Sequence, residues 1–427
     1  MFGIKPRIYV MPVGSTASSD VLSDYEGMLN SLRKLNADLV IGSPLNDEVS
    51  ILQRVEEVRR SDFDAVLILS LHGFTGHLQA LFSDALGLPT VIWTLPVRYS
   101  LPTAASAVGY LRERGLKVRL VHGPPTDLGI IKSIEQFVKV AAVVNRLGKV
   151  RIGVVGGIIP PMVASHYDRI ILKNKFGVDV VHIPEGEVLR TYNEISDDEV
   201  SNKFKDLSSK YLVNAPEDGV KKALKLYLAL KKVQESLKLD AIALECYTEL
   251  FQSFNVNPCL GYVDDQVIGC EGEVLNVVGL LIARWLSGRG ALISDPFSVS
   301  KEGVLTFMHC AAPASIAESP SKVHVVLSEP PSIIKFRIPV VHCRPEIPLT
   351  TVTIFRIYGK LIDKIHVTHG DVVSYDLSKA LQINVRIDNP SGFVEEVVGN
   401  HYVVAFGDIR EELKLISNWL GMKYIET

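Results

Sequence analysis

Residues 7–121 alternate short apolar runs with patterns of helical period. The apolar runs are 8–12, 39–41, 65–71, 90–93 and 118–121; helical patterns such as 21–35, 48–60 and 104–114 lie between them. This alternation leaves few foldings open. Parallel strands need a crossover, a helix supplies it, and the run predicts a doubly wound parallel sheet. A long amphipathic pattern, Leu128–Leu147, then ends at Gly148, and a new strand-like run follows at 150–157. Its glycine-rich end does not match the dinucleotide fingerprint, and Pro160-Pro161 remove N–H donors that a pyrophosphate needs, so a nicotinamide site is not expected. Two charged amphipathic patterns across 204–237 read as solvated outer helices.

From Gly290 the texture changes. Residues 291–296 read as a last strand of the α/β region. Residues 322–388 then alternate at period two, with turn signals at Gly359-Lys360 and His369-Gly370-Asp371. The stretches 352–357, 361–367, 372–375 and 383–387 predict antiparallel strands of a small barrel or sandwich, and 413–420 a terminal helix. The expected fold class is α/β, with two doubly wound Rossmann-like domains (1–148 and 149–298) and an antiparallel, barrel-like third (299–427). The central domain carries the acidic site residues.

Composition narrows the function. With 47% hydrophobic and 22% charged residues among 427, the chain reads as soluble and globular. A net charge of −3 without a basic stripe gives no footing for nucleic acid. The longest apolar helical run is interrupted by Arg284, so no membrane span is expected; no signal peptide is read at 1–7 either. Five cysteines, Cys246, Cys259, Cys270, Cys310 and Cys343, without close C-x-x-C pairs, fit reduced thiols in a cytoplasmic protein and small buried hydrophobes.

Chemistry concentrates in 241–288. The apolar strand 241–244 ends on Glu245-Cys246, and Gly269-Cys270-Glu271-Gly272-Glu273 leads into the apolar helical pattern 274–286. Acids thus stand twice where a strand hands over to a helix, the edge where open α/β sheets bind ligands. First-turn acids also gain from the helix dipole, which accounts for Glu271 and Glu273 equally well. The loop His72-Gly73-Phe74-Thr75-Gly76-His77 follows a strand directly and reads as polar lining. Tyr99-Ser100-Leu101-Pro102-Thr103 precedes a helix that Ser100 or Thr103 is placed to cap.

Glu271-Gly272-Glu273-Val274-Leu275-Asn276, Ser100-Leu101-Pro102 and Gly399-Asn400-His401-Tyr402 resemble segments of the L-fucose isomerase and L-arabinose isomerase superfamily. The resemblance covers about residues 60–420. It implies three domains and an aldose–ketose isomerase, an intramolecular oxidoreductase of carbohydrate metabolism that acts through a cis-enediolate and uses Mn²⁺ or another divalent cation. By resemblance, Glu245, Glu271 and Glu273 are the catalytic candidates, with Glu249 an alternative to Glu245. Glu245, Glu273, His309 and His401 are the metal candidates. Asn400 is assigned to the sugar. The family's members are oligomers, often hexamers, whose sites a neighbour completes; this implies a homo-oligomer, hexamer or trimer, with His72, His77 and Trp93 lining a neighbour's site. The partner expected is a small sugar. A non-catalytic sugar-binding protein on this scaffold, and a metal-assisted lyase or epimerase on a sugar acid, remain alternatives.

Overall fold

The computed structural model describes residues 3–246, 256–264, 266–328 and 340–427. They form two compact units, Ile4–Arg146 and a larger one built from Leu147–Thr427 with Gly3.

In the first unit, strands β1 (Arg7–Val13), β2 (Asp38–Ile41), β3 (Ala65–Ser70), β4 (Thr90–Thr94) and β5 (Val118–His122) make one sheet. Its order is β2-β1-β3-β4-β5 and every pairing is parallel. β3 is buried along its whole length because helices pack on both faces of such a sheet. Helix Gly76–Leu86 follows β3, so His77 sits in its first turn and not in a loop as the sequence suggested. Ser100 and Thr103 do not cap helix Ser100–Glu113. Instead the Ser100 hydroxyl donates to Leu95 O (2.5 Å), and Thr103 Oγ1 accepts from Phe74 N (2.8 Å).

In the second unit, β6 (Arg151–Val155), β7 (Asp179–Ile183), β9 (Ala241–Leu244) and β10 (Ile268–Gly269) form a parallel sheet of order β10-β9-β6-β7. A short strand β8 (Leu212–Asn214) leaves this layer to pair with β13 (Val323–Ser328), which also pairs with β14 (Val340–Pro345). Helix Glu217–Ser236 is more than a solvated layer: Val220, Leu224, Tyr227 and Leu230 are buried in the core with Leu244 and Val325.

The third sheet is a closed antiparallel barrel. β11 (Ala291–Val299), β12 (Val304–His309), β15 (Thr351–Tyr358), β16 (Lys364–Asp376), β17 (Leu381–Ile387) and β18 (Tyr402–Phe406) pair in the order β15-β18-β11-β12-β17-β16, and β16 returns to β15. Closure removes the free edges that an open sheet would expose. Two readings are corrected here. Ala291–Val299 is a barrel strand and not the last strand of the parallel sheet, since it pairs with β12 and β18. His369-Gly370-Asp371 is no turn but the middle of one long strand, β16. A further strand, β19 (Lys423–Glu426), lies parallel to β16 along Lys364–Val367, where β17 no longer covers it. Helix Val274–Ser287 packs against the barrel wall, with Gly279 over Val403 and Phe355.

Candidate functional site

The carboxyl ends of β6, β9 and β10 meet one rim of the barrel, all within the second unit. Glu273 occupies the N-cap position of helix Val274–Ser287, yet its side chain makes no cap hydrogen bond. It is 1% exposed and its carboxylate is spent elsewhere. Oε1 accepts from Ser165 Oγ and from Arg356 Nη2 (3.2 Å); Oε2 contacts His401 Nδ1 and accepts from Asn276 Nδ2 (2.6 Å). Glu273 thus stands at the helix start, as the sequence suggested, without capping the helix. Burial pushes its pKa up, but His401, Arg356 and Ser165 overcome this and hold it at about 2.

His401 comes to this place by strand register. Ser294 on β11 lies opposite Tyr402 on β18, so the next positions along the two strands bring Asp295 to His401. Its Nε2 is 3.4 Å from Asp295 Oδ1 and 3.9 Å from Glu271 Oε2. Burial disfavours the imidazolium, but Asp295 and Glu273 hold His401 well above the usual imidazole range. Neither Nε2 of His401 nor Oε2 of Glu271 has a hydrogen-bond partner among the described residues. Arg356 braces the arrangement, donating to His401 O, Ala164 O (3.2 Å) and Ser165 Oγ (3.2 Å).

Glu271 stands in a strained backbone, with φ +60° and ψ 20°. A left-handed conformation in a non-glycine residue costs about 1–2 kcal/mol. The next residue, Gly272 (φ +77°), has no room for a side chain: a Cβ there would fall 2.0 Å from Gly157 O. That close contact, together with Ile159 N donating to Glu271 O (3.4 Å), fixes the acid's place. Burial foremost, then Asp295 and Glu273, push its carboxyl up to about 7 against the pull of His401. Asp295, with its side chain 43% exposed, opens the cluster to solvent. Its pKa is lowered: burial opposes this, and His401 outweighs it.

The other candidates fall in different places. The His309 ring meets His401 edge-on at 5.4 Å between centroids, and Cys270 hydrogen-bonds to it. Glu245 accepts from Gly157 N (2.7 Å) at the same strand edge. Glu249 lies outside the described residues. Asn400 Nδ2 is 2.6 Å from Met162 Sδ and its side chain also bonds Asp295. In the first unit, His72 Nε2 is bonded to Ser15 O (2.7 Å), and His77 is exposed, 4.0 Å from Glu48. Trp93 is fully buried, its indole N–H donating to Gly123 O (3.1 Å).

Sequence reading missed Asp295, Arg356 and Ser165 as site residues. Arg356 had a signal: it shares a strand face with Val352 and Ile354, and a cation on an apolar strand face needs a buried partner. Ser165 had none.

Among the described residues, no group of three or more His, Cys, Asp and Glu side chains is arranged to close on one metal ion. The donor chemistry nonetheless fits a hard divalent cation. The two orphaned atoms, Glu271 Oε2 and His401 Nε2, and the half-open Asp295 carboxylate make an oxygen-rich set with one imidazole. Glu273 on His401 Nδ1 stands where an outer carboxylate would orient a histidine ligand.

Comparison with known proteins gives partial matches. No family model matches the sequence. The chain is similar to the sulfoquinovose isomerases of Priestia aryabhattai and Priestia megaterium, 23% identical to each over 282 residues. Those matches span 62% of this chain and 63% of each relative's length. A solute-binding protein of an ABC transporter from Burkholderia multivorans matches at 16% identity, covering 59% of this chain and 83% of that one. Its TM-score of 0.20 is too low to bear on the fold.

No helix among the described residues is long and apolar enough to cross a membrane.

Proposed function

We propose that the chain is an aldose–ketose sugar isomerase whose acid–base group is Glu271. The observation that carries the reading is the orphaned, buried Glu271 carboxylate beside a charged His401 that Glu273 holds in place. Moving a proton between C1 and C2 of a sugar needs a group able to take it and give it back near neutrality. Partial burial gives Glu271 that character. The similarity to sulfoquinovose isomerases supports the same reaction class. His401 and Asp295 face the same opening and are placed to hold the oxygens of C1 and C2. Asp295 and His401, the latter neutral at Nε2 once a cation replaces its proton, would hold a divalent cation such as Mn²⁺, which when bound would supply Lewis-acid polarisation of those oxygens and leave Glu271 free to carry the proton. The resemblance to the fucose and arabinose isomerases further suggests a homo-oligomer.

The test is incubation with aldoses in deuterated water, followed by NMR. We expect a ketose and deuterium at the exchanged carbon, and Glu271→Gln should lower turnover by about 10²–10⁴-fold. Tight sugar binding without exchange or product would favour a binding protein instead, and a lyase would release smaller fragments.

A further inference from the structure

The acid cluster is open on the side of Asp295. That side chain is 43% exposed, against 12% for Glu271 and 1% each for Glu273 and His401. A sugar held by its first two carbons at Glu271, Asp295 and His401 must therefore run out past Asp295. Two positions further along the same strand stands Phe297, 68% exposed. An exposed phenylalanine is by itself ordinary, but strand register sets this one apart. In the pairing of β11 with β12, Asp295 lies opposite Met308 and Pro296 opposite Phe307, yet Ser298 already lies opposite Thr306. Phe297 is the extra residue of a bulge, the device that re-aims a side chain at barrel rims and beside active sites. Leu305 and Phe307 belong to the packed core inside the barrel, so the exposed ring lies on the outer face, the face of Met308 and Asp295. Asn400, whose side chain bonds Asp295, belongs to the same rim and touches Met162. The residue after Met162 is Val163, 78% exposed. The open carboxylate thus has exposed apolar side chains on the segments to either side of it.

We infer that Phe297 is the platform on which the remote carbons of the substrate rest, and that it selects aldoses long enough to reach it. The inference rests on the isomerase reading. Hydroxyls polarise the C–H bonds of a sugar, and a patch of such C–H groups meets the electron-rich face of a phenyl ring favourably while the hydroxyls stay in water. Two strand residues span about 7 Å. The carbons of a hexose beyond the reacting pair can bridge that distance; those of glyceraldehyde cannot.

The test gives a panel of aldohexoses, with glyceraldehyde beside them, to the unaltered protein, Phe297→Ala and Phe297→Trp. KM, kcat, calorimetric Kd and the sedimentation of each protein are measured. In Phe297→Ala the KM of each hexose turned over should rise about tenfold, the loss expected when a partly covered phenyl ring is removed. Because the contact is the same in ground and transition states, kcat should hold. Glyceraldehyde should not respond, and Phe297→Trp should keep the KM of the unaltered protein; where the triose is no substrate, the tryptophan variant decides. An unchanged hexose KM in Phe297→Ala overturns the platform and leaves the isomerase reading standing. A KM that rises as much for glyceraldehyde, or that rises together with a smaller assembly, also overturns it and gives Phe297 to the scaffold or to a contact between copies. If no sugar is turned over, the isomerase reading falls and binding decides the platform alone. Weaker hexose binding to Phe297→Ala, restored in Phe297→Trp, supports it; equal binding, or none to any of the proteins, overturns it.

Discussion

Glu273 and Arg356 form a buried ion pair, with side chains 1% and 3% exposed. Such a pair gains little over an apolar replacement, but breaking it leaves a charge without compensation in a medium that solvates it poorly. Glu273→Gln should therefore cost about 3–5 kcal/mol of stability, read by urea unfolding, and free His401 to reorient. A loss of only a few tenths of a kcal/mol would show that Arg356 is compensated some other way. At this scale the sequence was half legible. Glu271 and Glu273 could be picked out because acids at a strand–helix junction carry a local signal, and His401 because its Gly-Asn-His-Tyr segment resembles one of the isomerase superfamily. Asp295 and Ser165 could not, because what makes them matter is a neighbour far along the chain. Asp295 reaches His401 only through the pairing of β11 with β18.

Helix Val274–Ser287 is the element that joins site to scaffold. Its first residues follow the acids, and its middle rests on the barrel at Gly279. A Cβ at Gly279 would lie 2.8 Å from Val403 Cγ2 and 3.4 Å from Phe355 Cε2. Gly279→Leu should overpack this contact at a cost of about 1–3 kcal/mol. Because the displaced helix carries Glu273, kcat should fall with stability. A variant with lower Tm but unaltered kcat would show that the acids are held from the Gly157 side alone. Elements with strong periodicity were legible, among them Leu128–Leu147 and the five strands of the first sheet. The misread turn at Gly370 has a physical reason. Glycine is needed there because Arg386 O would stand 2.1 Å from a Cβ, a close approach of two strands and not a reversal of the chain.

For the molecule as a whole, buried neutral histidines set an acid limit. Burial pushes His342 down to about 3 and His366 down to about 4. In the unfolded chain both titrate near 6.5. As pH falls below about 6.5 the unfolded state binds protons that the native state refuses, so stability declines toward pH 4. The slope is at most about 1.4 kcal/mol per pH unit for each group. Tm should fall from pH 6 to 4.5, with Glu271, which takes up its proton earlier in the native state, offsetting part of the decline, and His342→Gln should flatten the slope; an unchanged slope would mean that burial does not keep His342 neutral. The layered plan, parallel sheets first and a barrel after, was legible because periodicity changes from 3.6 to 2. The small three-stranded sheet, β8 with β13 and β14, was not, since nothing local to Leu212–Asn214 announces a partner so far along the chain. The barrel's order of pairing also governs how the protein is made. Ala291 must wait for Ala405. On the ribosome, then, the parallel sheet of the second unit can assemble while the barrel is still an open, sticky sheet. The pocket around His401 comes into being only once β18 has been made, and mutations in β18 would be felt as failures of yield before they were felt as failures of catalysis.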